Sequence, residues 1–356
     1  MEAVITFLYT VGDFIIATVA GEAAVGAVGA LTSAAIGATA IVGGTVGLSK
    51  LFEIDMNVPD TDYSRQRTVK GGTQPVKTVY GEALVSGPIA FLGAGNSAVS
   101  ASGNESLYHV IALTGHQSES ITDIYFDNVK IQNSDINSGA ATGGAVGGST
   151  VYGPVNSTTI TYINKHLGAD TSADSMVSAQ FAKWTSDHVG QGVTYIATQF
   201  YFPDDSDIAD VWNKHTPSDI KALVKGVKTI YDPRDDTGGN GAAPGNSSFQ
   251  SWSDNPALCL ADYMTNTEWG MGIPTSKVDW DAVADAANYC DELQSIPGSA
   301  TQKRFTCNGV LFGTEAHQNN VSKLLSSMNG SMVYTGGKYV INAGQYIAPG
   351  VNDILT

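Results

Sequence analysis

The chain has 356 residues, too long for one ordinary hydrophobic core, so two or three domains are expected. Its 40 glycines and only 15% charged residues predict more loop and strand than helix. A formal net charge of −16 argues against adhesion to nucleic-acid phosphates, which draws on clustered Lys and Arg, and is suited to keeping a large assembly component soluble.

Residues 3–48 are the compositional outlier. No charged residue occurs from 23 to 48, a stretch longer than a bilayer-spanning helix requires, but its apolar character is Ala and Gly rather than Leu and Phe. Glu2 and the lack of early Lys or Arg argue against a secretory signal. Small residues recur at Gly26, Ala30, Ala34 and Ala38, and Gly43 with Gly47 forms a GxxxG, rows that let helix backbones approach closely. The expectation is an apolar Ala/Gly-rich helical segment over residues 1–52, self-associating about the axis of an oligomer and lying in a tube lumen. Insertion of residues 3–48 into a membrane is the competing expectation, and a disordered or merely packed tail is the plain one. Residues 43–50 lack the Gly-Lys-Ser/Thr order that a phosphate loop needs.

From residue 53 to 235 the pattern becomes that of a β-rich globular region. Strands are predicted over 74–80, 89–92, 107–113 and 121–126, the last turning at Asp127-Asn128 into a return strand over 129–131. Residues 137–149, rich in Gly, Ser and Ala, are expected to be a mobile loop. Thr171 or Ser172 is placed to cap a helix whose Val177, Phe181, Trp184 and His188 share one face, with His188 structural rather than a ligand. A strand is predicted over 193–202. In 220–231 the apolar parity shifts around Gly226, which predicts a bulge in a curved strand of a barrel-like sheet.

Residues 238–246 are expected to form a flexible connection into a mixed α/β region, 236–356. Asn255 and Asp254 are candidate N-caps, Pro256 sits where a helix start tolerates it, and Leu260, Ala261 and Met264 follow at helical spacing. Gly270, Gly272 and Pro274 end that helix in a tight loop. A second helix carries Val283, Ala286, Ala287 and Cys290 after capping by Ser276 with Asp279, and a third carries Val321, Leu324, Leu325 and Met328. Strands are predicted over 305–312 and on either side of the turn Gly336-Gly337. Trp252, Trp269 and Met271 flank the first helix as core residues or interface anchors.

Little chemistry is signalled. The histidines at 109, 116, 166, 188, 215 and 317 form no H-E-x-x-H, and no G-x-S-x-G is present. Asp204, Asp205 and Asp207 lack the Gly and terminal Glu of a calcium loop and are expected to be a solvated acidic loop, like Asp232, Asp235 and Asp236. Cys259, Cys290 and Cys307, odd in number and without C-x-x-C spacing, point to reduced, buried thiols. No catalytic, cofactor or metal residue is assigned.

The run Asn255-Pro256-Ala257, Cys259-Leu260, Asp262-Tyr263 and Thr265, followed by Trp269-Gly270-Met271-Gly272-Ile273-Pro274, resembles the central tail hub (tip attachment protein J) family of long-tailed, lambda-like bacteriophages. Tyr289-Cys290-Asp291, the stretch from Arg304 through Cys307-Asn308-Gly309, and Tyr334-Thr335-Gly336-Gly337-Lys338 agree with it in order, as do 79–89 and 220–234. The resemblance implies an α+β, β-rich fold of tail-tube-like barrel or sandwich hub domains with inserted helices. It implies a structural protein rather than an enzyme: a homotrimer in the virion at the distal end of the tail, assembled in the host cytoplasm. Implied partners are the distal tail protein, the tape measure protein and tail fibre or receptor-binding proteins, with genome DNA passing through without specific binding. Contact with the host membrane through residues 3–48 and a cell-wall hydrolase of the tail tip are the alternatives. Members of the family continue past the point matched by Thr356, so a short hub or a portion of a longer one is expected.

Overall fold

The computed structural model describes residues 4–11, 14–20, 74–96, 105–136, 143–149, 151–202, 217, 219–297 and 300–344. Two units are present, residues 1–60 and 61–356. In the first, Val4–Val11 (β1) and Phe14–Ala20 (β2) pair antiparallel, with a register shift between Ile5 and Phe7. This corrects the helical expectation for the start of the 3–48 stretch: Val4, Ile5, Thr6, Phe7 and Phe14, Ile15, Ile16 are β-branched or aromatic, and that preference outweighs the Ala and Gly that follow. Gly26, Ala30, Ala34, Ala38, Gly43 and Gly47 lie outside the described residues, as do Asp204, Asp205 and Asp207. Among the described residues no helix is long and apolar enough to cross a membrane.

In the second unit the first strands in order are Lys77–Tyr80 (β3), Glu82–Val85 (β4), Ile89–Gly95 (β5), Ser106–Thr114 (β6), Ser118–Phe126 (β7), Val129–Gln132 (β8), Gly143–Ala145 (β9), Thr161–His166 (β10), Thr194–Tyr201 (β11) and Ile220–Val227 (β12). One sheet runs β5-β6-β11-β10-β9 and another β4-β12-β7-β8, every pair antiparallel. The two sheets share a core in which Ile111, Ile163, Ile196 and Phe200 of one meet Ile124, Phe126, Ile131 and Val224 of the other. The rings of Phe126 and Phe200 stand 5.3 Å apart. This is a sandwich, and no closed barrel is formed among the described residues.

Three local expectations are corrected here. Residues 143–145 are not loop but an edge strand on β10, where a Cβ on Gly143 would lie 2.0 Å from the Ile163 carbonyl oxygen. The long helix with Val177, Phe181, Trp184 and His188 on one face is a single turn, Ser175–Ser178 (α1), capped by Asp174 rather than Thr171 or Ser172. Packing overrides the spacing: Phe181 and Trp184 leave the helix to meet Phe91 edge-on and tilted, at 4.8 and 5.4 Å, and His188 stays exposed, stacked on Trp184. Finally, Gly226 is no bulge. The register slips at Thr122 and Asp123 of β7, opposite Leu223 and Val224. Gly226 is required because the backbone of Val79 crosses it, where a Cβ would sit 1.8 Å from the carbonyl oxygen.

The parity change at Gly226 has another cause. Ile220, Ala222 and Val224 face the sandwich core, whereas Val227 belongs to a second core built on helices. That core begins with Ile230–Tyr231 (β13) and Gln250–Ser251 (β14), which form a short ribbon, and Pro256–Thr265 (α2) and Trp280–Asp291 (α3). A hairpin of Leu293–Ile296 (β15) and Ala300–Lys303 (β16) follows, then Gly309–Phe312 (β17) and His317–Ser326 (α4). The last hairpin is Ser331–Thr335 (β18) with Lys338–Asn342 (β19), turning at Gly336 and Gly337 with φ of 61° and 83°. The link at 238–246 is tied rather than loose: Asp236 accepts from Tyr231 Oη at 2.7 Å, Gly238 N at 2.9 Å and Ala243 N at 2.7 Å.

Between the two cores runs the antiparallel ribbon β3–β17. Because neighbouring side chains on a strand point to opposite faces, Val79, Val310 and Phe312 serve the sandwich core while Tyr80 and Leu311 serve the helical one.

Candidate functional site

The site is built around α2. Asn255 caps it, accepting from Ala257 N at 3.1 Å while its own amide donates to the Ala287 carbonyl of α3 at 2.9 Å, and Pro256 takes the first helical position. Asn255 is fully buried, so one side chain closes a helix end and joins two helices. At the other end Asn266 accepts from Glu268 N and Trp269 N, and the chain doubles back so that Met271 N reaches the Tyr263 carbonyl at 2.9 Å. Gly270 passes so near Tyr263 that a Cβ would lie 2.0 Å from its carbonyl oxygen, and Gly272 has φ of 65°.

This loop presents Trp269 to the β3–β17 ribbon. Trp269 Nε1 donates to Tyr80 Oη at 3.2 Å, and Tyr80 Oη donates to Asp262 Oδ2 at 2.6 Å. The far side of the Trp269 ring meets His116 at 5.6 Å, whose Nε2 accepts from Val79 N at 3.0 Å. A polar chain thus crosses from the helical core to the sandwich core through the ribbon. Burial raises the Asp262 carboxyl to about 6, against the hydrogen bonds from Tyr80 and Trp269. Burial, with the Asp262 charge adding to it, holds the Tyr80 phenol well above its ordinary value. Burial lowers His116 to about 4, so it is a neutral acceptor at physiological pH.

The corner at Gly81 is gripped from three sides. Trp252 Nε1 and Gly226 N both donate to the Gly81 carbonyl, at 3.1 and 2.8 Å, and Asn308 Oδ1 accepts from Glu82 N at 2.8 Å. Cys307 N donates to the Asp254 carbonyl at 2.7 Å, and Lys303 bridges Asp254 and Asp291 at 2.8 and 2.9 Å. All three cysteines are buried and unbridged, with Cys259 and Cys307 side by side in the helical core and burial pushing the Cys259 thiol up. Cys290 lies in the same core, its thiol raised to about 11 by burial.

The structure therefore brings together Asn255, Pro256, Cys259, Asp262, Trp269, Gly270, Gly272, Cys290, Cys307 and Asn308. Tyr289 stands on the outer side of α3, with the Arg304 guanidinium 4.3 Å above its ring. Gly336 and Gly337 are apart from the rest, at a hairpin tip where a Cβ on either would meet open space. Tyr80 and Tyr263 lie inside the motif pieces without being singled out, and in the sequence His116 figures only as part of no metal motif; the Tyr263 hydroxyl meets His317 Nδ1 at 2.8 Å and Asn320 Nδ2 at 3.0 Å. The Asp-Tyr pair of the motif was the available signal for Tyr263; none was available for His116.

A second polar cluster lies on the sandwich. His166 is held between Asp170 at 2.8 Å and Asp174 at 2.8 Å, and stacks on Tyr195 at 4.2 Å. Burial disfavours charge on His166, but the hydrogen bonds it donates to Asp174 and Asp170 raise its pKa overall; Asp174 is net lowered, its burial outweighed by bonds from His166, Asn164 and Val177 N. The His166 contribution is present below the ordinary histidine pKa and lost as pH rises through the folded one, and the Asp174 contribution is lost only on acidification. His166→Gln should cost about 1–2 kcal/mol near pH 6 and much less at pH 9 in urea unfolding; an equal cost at both would refute a charged clasp. Among the described residues no group of three or more His, Cys, Asp or Glu is placed to hold a metal ion.

No family model matches the chain, and no curated protein matches it. Among solved structures it is similar to a chain of the virion of a native gene transfer agent particle, at 12% identity and a TM-score of 0.40, over 91% of this chain and 65% of that one. The chain thus spans just under two thirds of that virion chain, and no residue role is carried between them.

Proposed function

We propose that this chain is a structural protein of a phage tail tip, a hub that forms a homotrimeric ring capping the tail tube and linking it to the receptor-binding tip and the path of DNA ejection. The carrying observation is convergence. Motif pieces spread from residue 79 to 309 meet at one place, where their polar groups are engaged with one another: Asp262 with Tyr80, Asn255 with Ala287, Asn308 with Glu82. Such residues hold shape, and a fixed shape is what a ring component demands. The acidic net charge of −16 fits a wall along which DNA moves without adhering.

In this reading the distal tail protein lies above, the tape measure protein within, and fibre or receptor-binding proteins below. Residues 1–52 line the lumen or reach the host membrane. Light scattering on the purified chain should give three times the 37.1 kDa of one chain, and antibody labelling should mark the distal tail end of virions. A monomer at all accessible concentrations, together with unlabelled virions, would sink the reading.

A further inference from the structure

A cleft of about 850 Å³ lies between the outer side of α3 and the β18–β19 hairpin, in the size range of small-ligand sites. Its α3 wall carries Asp285, Asn288, Tyr289 and Glu292, and its opposite wall Asn329 and Asn342. The floor is apolar, with buried Ala286 and Ile341.

We propose that this cleft binds a neutral oligosaccharide. The α3 wall is held in place from behind. Arg234 Nη1 donates to Asn288 Oδ1 at 3.3 Å, and Arg304 lies over Tyr289 while bonding Glu292 Oε2 at 2.5 Å. These bonds occupy one acceptor on each of Asn288 and Glu292, leaving an amide donor on the first and a carboxylate acceptor on the second. Asp285, Asn329 and Asn342 are exposed and have no side-chain hydrogen-bond partner among the described residues. The cleft therefore offers both donors (Asn288, Asn329, Asn342) and acceptors (Asp285, Glu292) about a small apolar floor, which matches a ring with hydroxyls at its rim and C–H groups on its face. An anionic ligand would meet Asp285 and Glu292 with Arg304 already committed. A hydrophobic helix would find no deep apolar slot, since Ala286 and Ile341 of the floor are themselves almost fully covered.

The inference stands apart from the tail-hub reading, and neither depends on the other. Saturation-transfer NMR of the full chain with maltotetraose and with chitotetraose should show transfer to at least one, with a Kd of about 1 mM or tighter. Asp285→Ala and Asn342→Ala, both at exposed positions and so expected to fold, should each weaken binding about tenfold with unchanged thermal midpoints, whereas Asp281→Ala on the same helix should not. No transfer with either tetrasaccharide, or binding that both cleft variants leave unchanged, overturns the proposal.

Discussion

Asn255→Ala is expected to lower the stability of the second unit by about 2 kcal/mol, the loss of an N-cap adding about 1 and the lost second bond to the Ala287 carbonyl, which keeps its place in the α3 ladder, about 1. Both groups are inside: Asn255 and Ala287 are each fully buried, so water cannot replace the lost donor. Asn255→Ser separates the two parts, because a serine caps the helix but is too short to reach Ala287. It should restore about 1 kcal/mol of the loss. Urea midpoints for the three proteins test this. An alanine variant within about 0.5 kcal/mol of the parent would mean that α2 is not held at its start as described.

The second large effect is hidden in the parent protein and appears only in variants. Asp262 has a folded pKa of about 6, above its ordinary 3.8, so the folded state binds more protons between those values and loses stability as pH rises across them. His116 has a folded pKa of about 4, below its ordinary 6.5, so the unfolded state binds more protons and stability rises with pH across that window. The two slopes oppose each other between pH 4 and 6. Asp262→Asn should expose the histidine slope, gaining about 2 kcal/mol relative to the parent from pH 4 to 6.5; His116→Gln should expose the opposite slope, of similar size. These sizes allow for Asp262 keeping part of its surface in solvent. The measurement is the difference between variant and parent in urea unfolding at each pH, which removes the titration of the other carboxylates. Parallel pH profiles for all three proteins would disprove the compensation.

How much of this was legible beforehand depends on range. The start of α2 was readable because a cap and a proline act on their own neighbours, and the turns at Asp127-Asn128 and Gly336-Gly337 were readable because positive φ is a local demand, met at 45°, 72°, 61° and 83°. Tyr80 with Asp262 and Trp269 was not, since the partners lie 182 and 189 positions apart. The slip in β7 was written in the chain: Ile121 and Ile124 both enter the core although three positions apart. The parity change at Gly226 drew attention instead, and it marks a strand leaving one core for another. The single-turn α1 shows the reverse failure, where helical spacing was present and aromatic packing took the side chains elsewhere.

The β3–β17 ribbon sets a constraint on manufacture. Lys77–Tyr80 is translated early and its mate Gly309–Phe312 late, with nearly all of both cores between them. At about 5–20 residues per second, the earlier strand waits some tens of seconds on the ribosome with two apolar sides uncovered. Nascent chains stopped before the second strand emerges should therefore be readily cut by protease throughout, and chains stopped well after it should resist: maturation in a single late step, with slow refolding as its counterpart in the test tube.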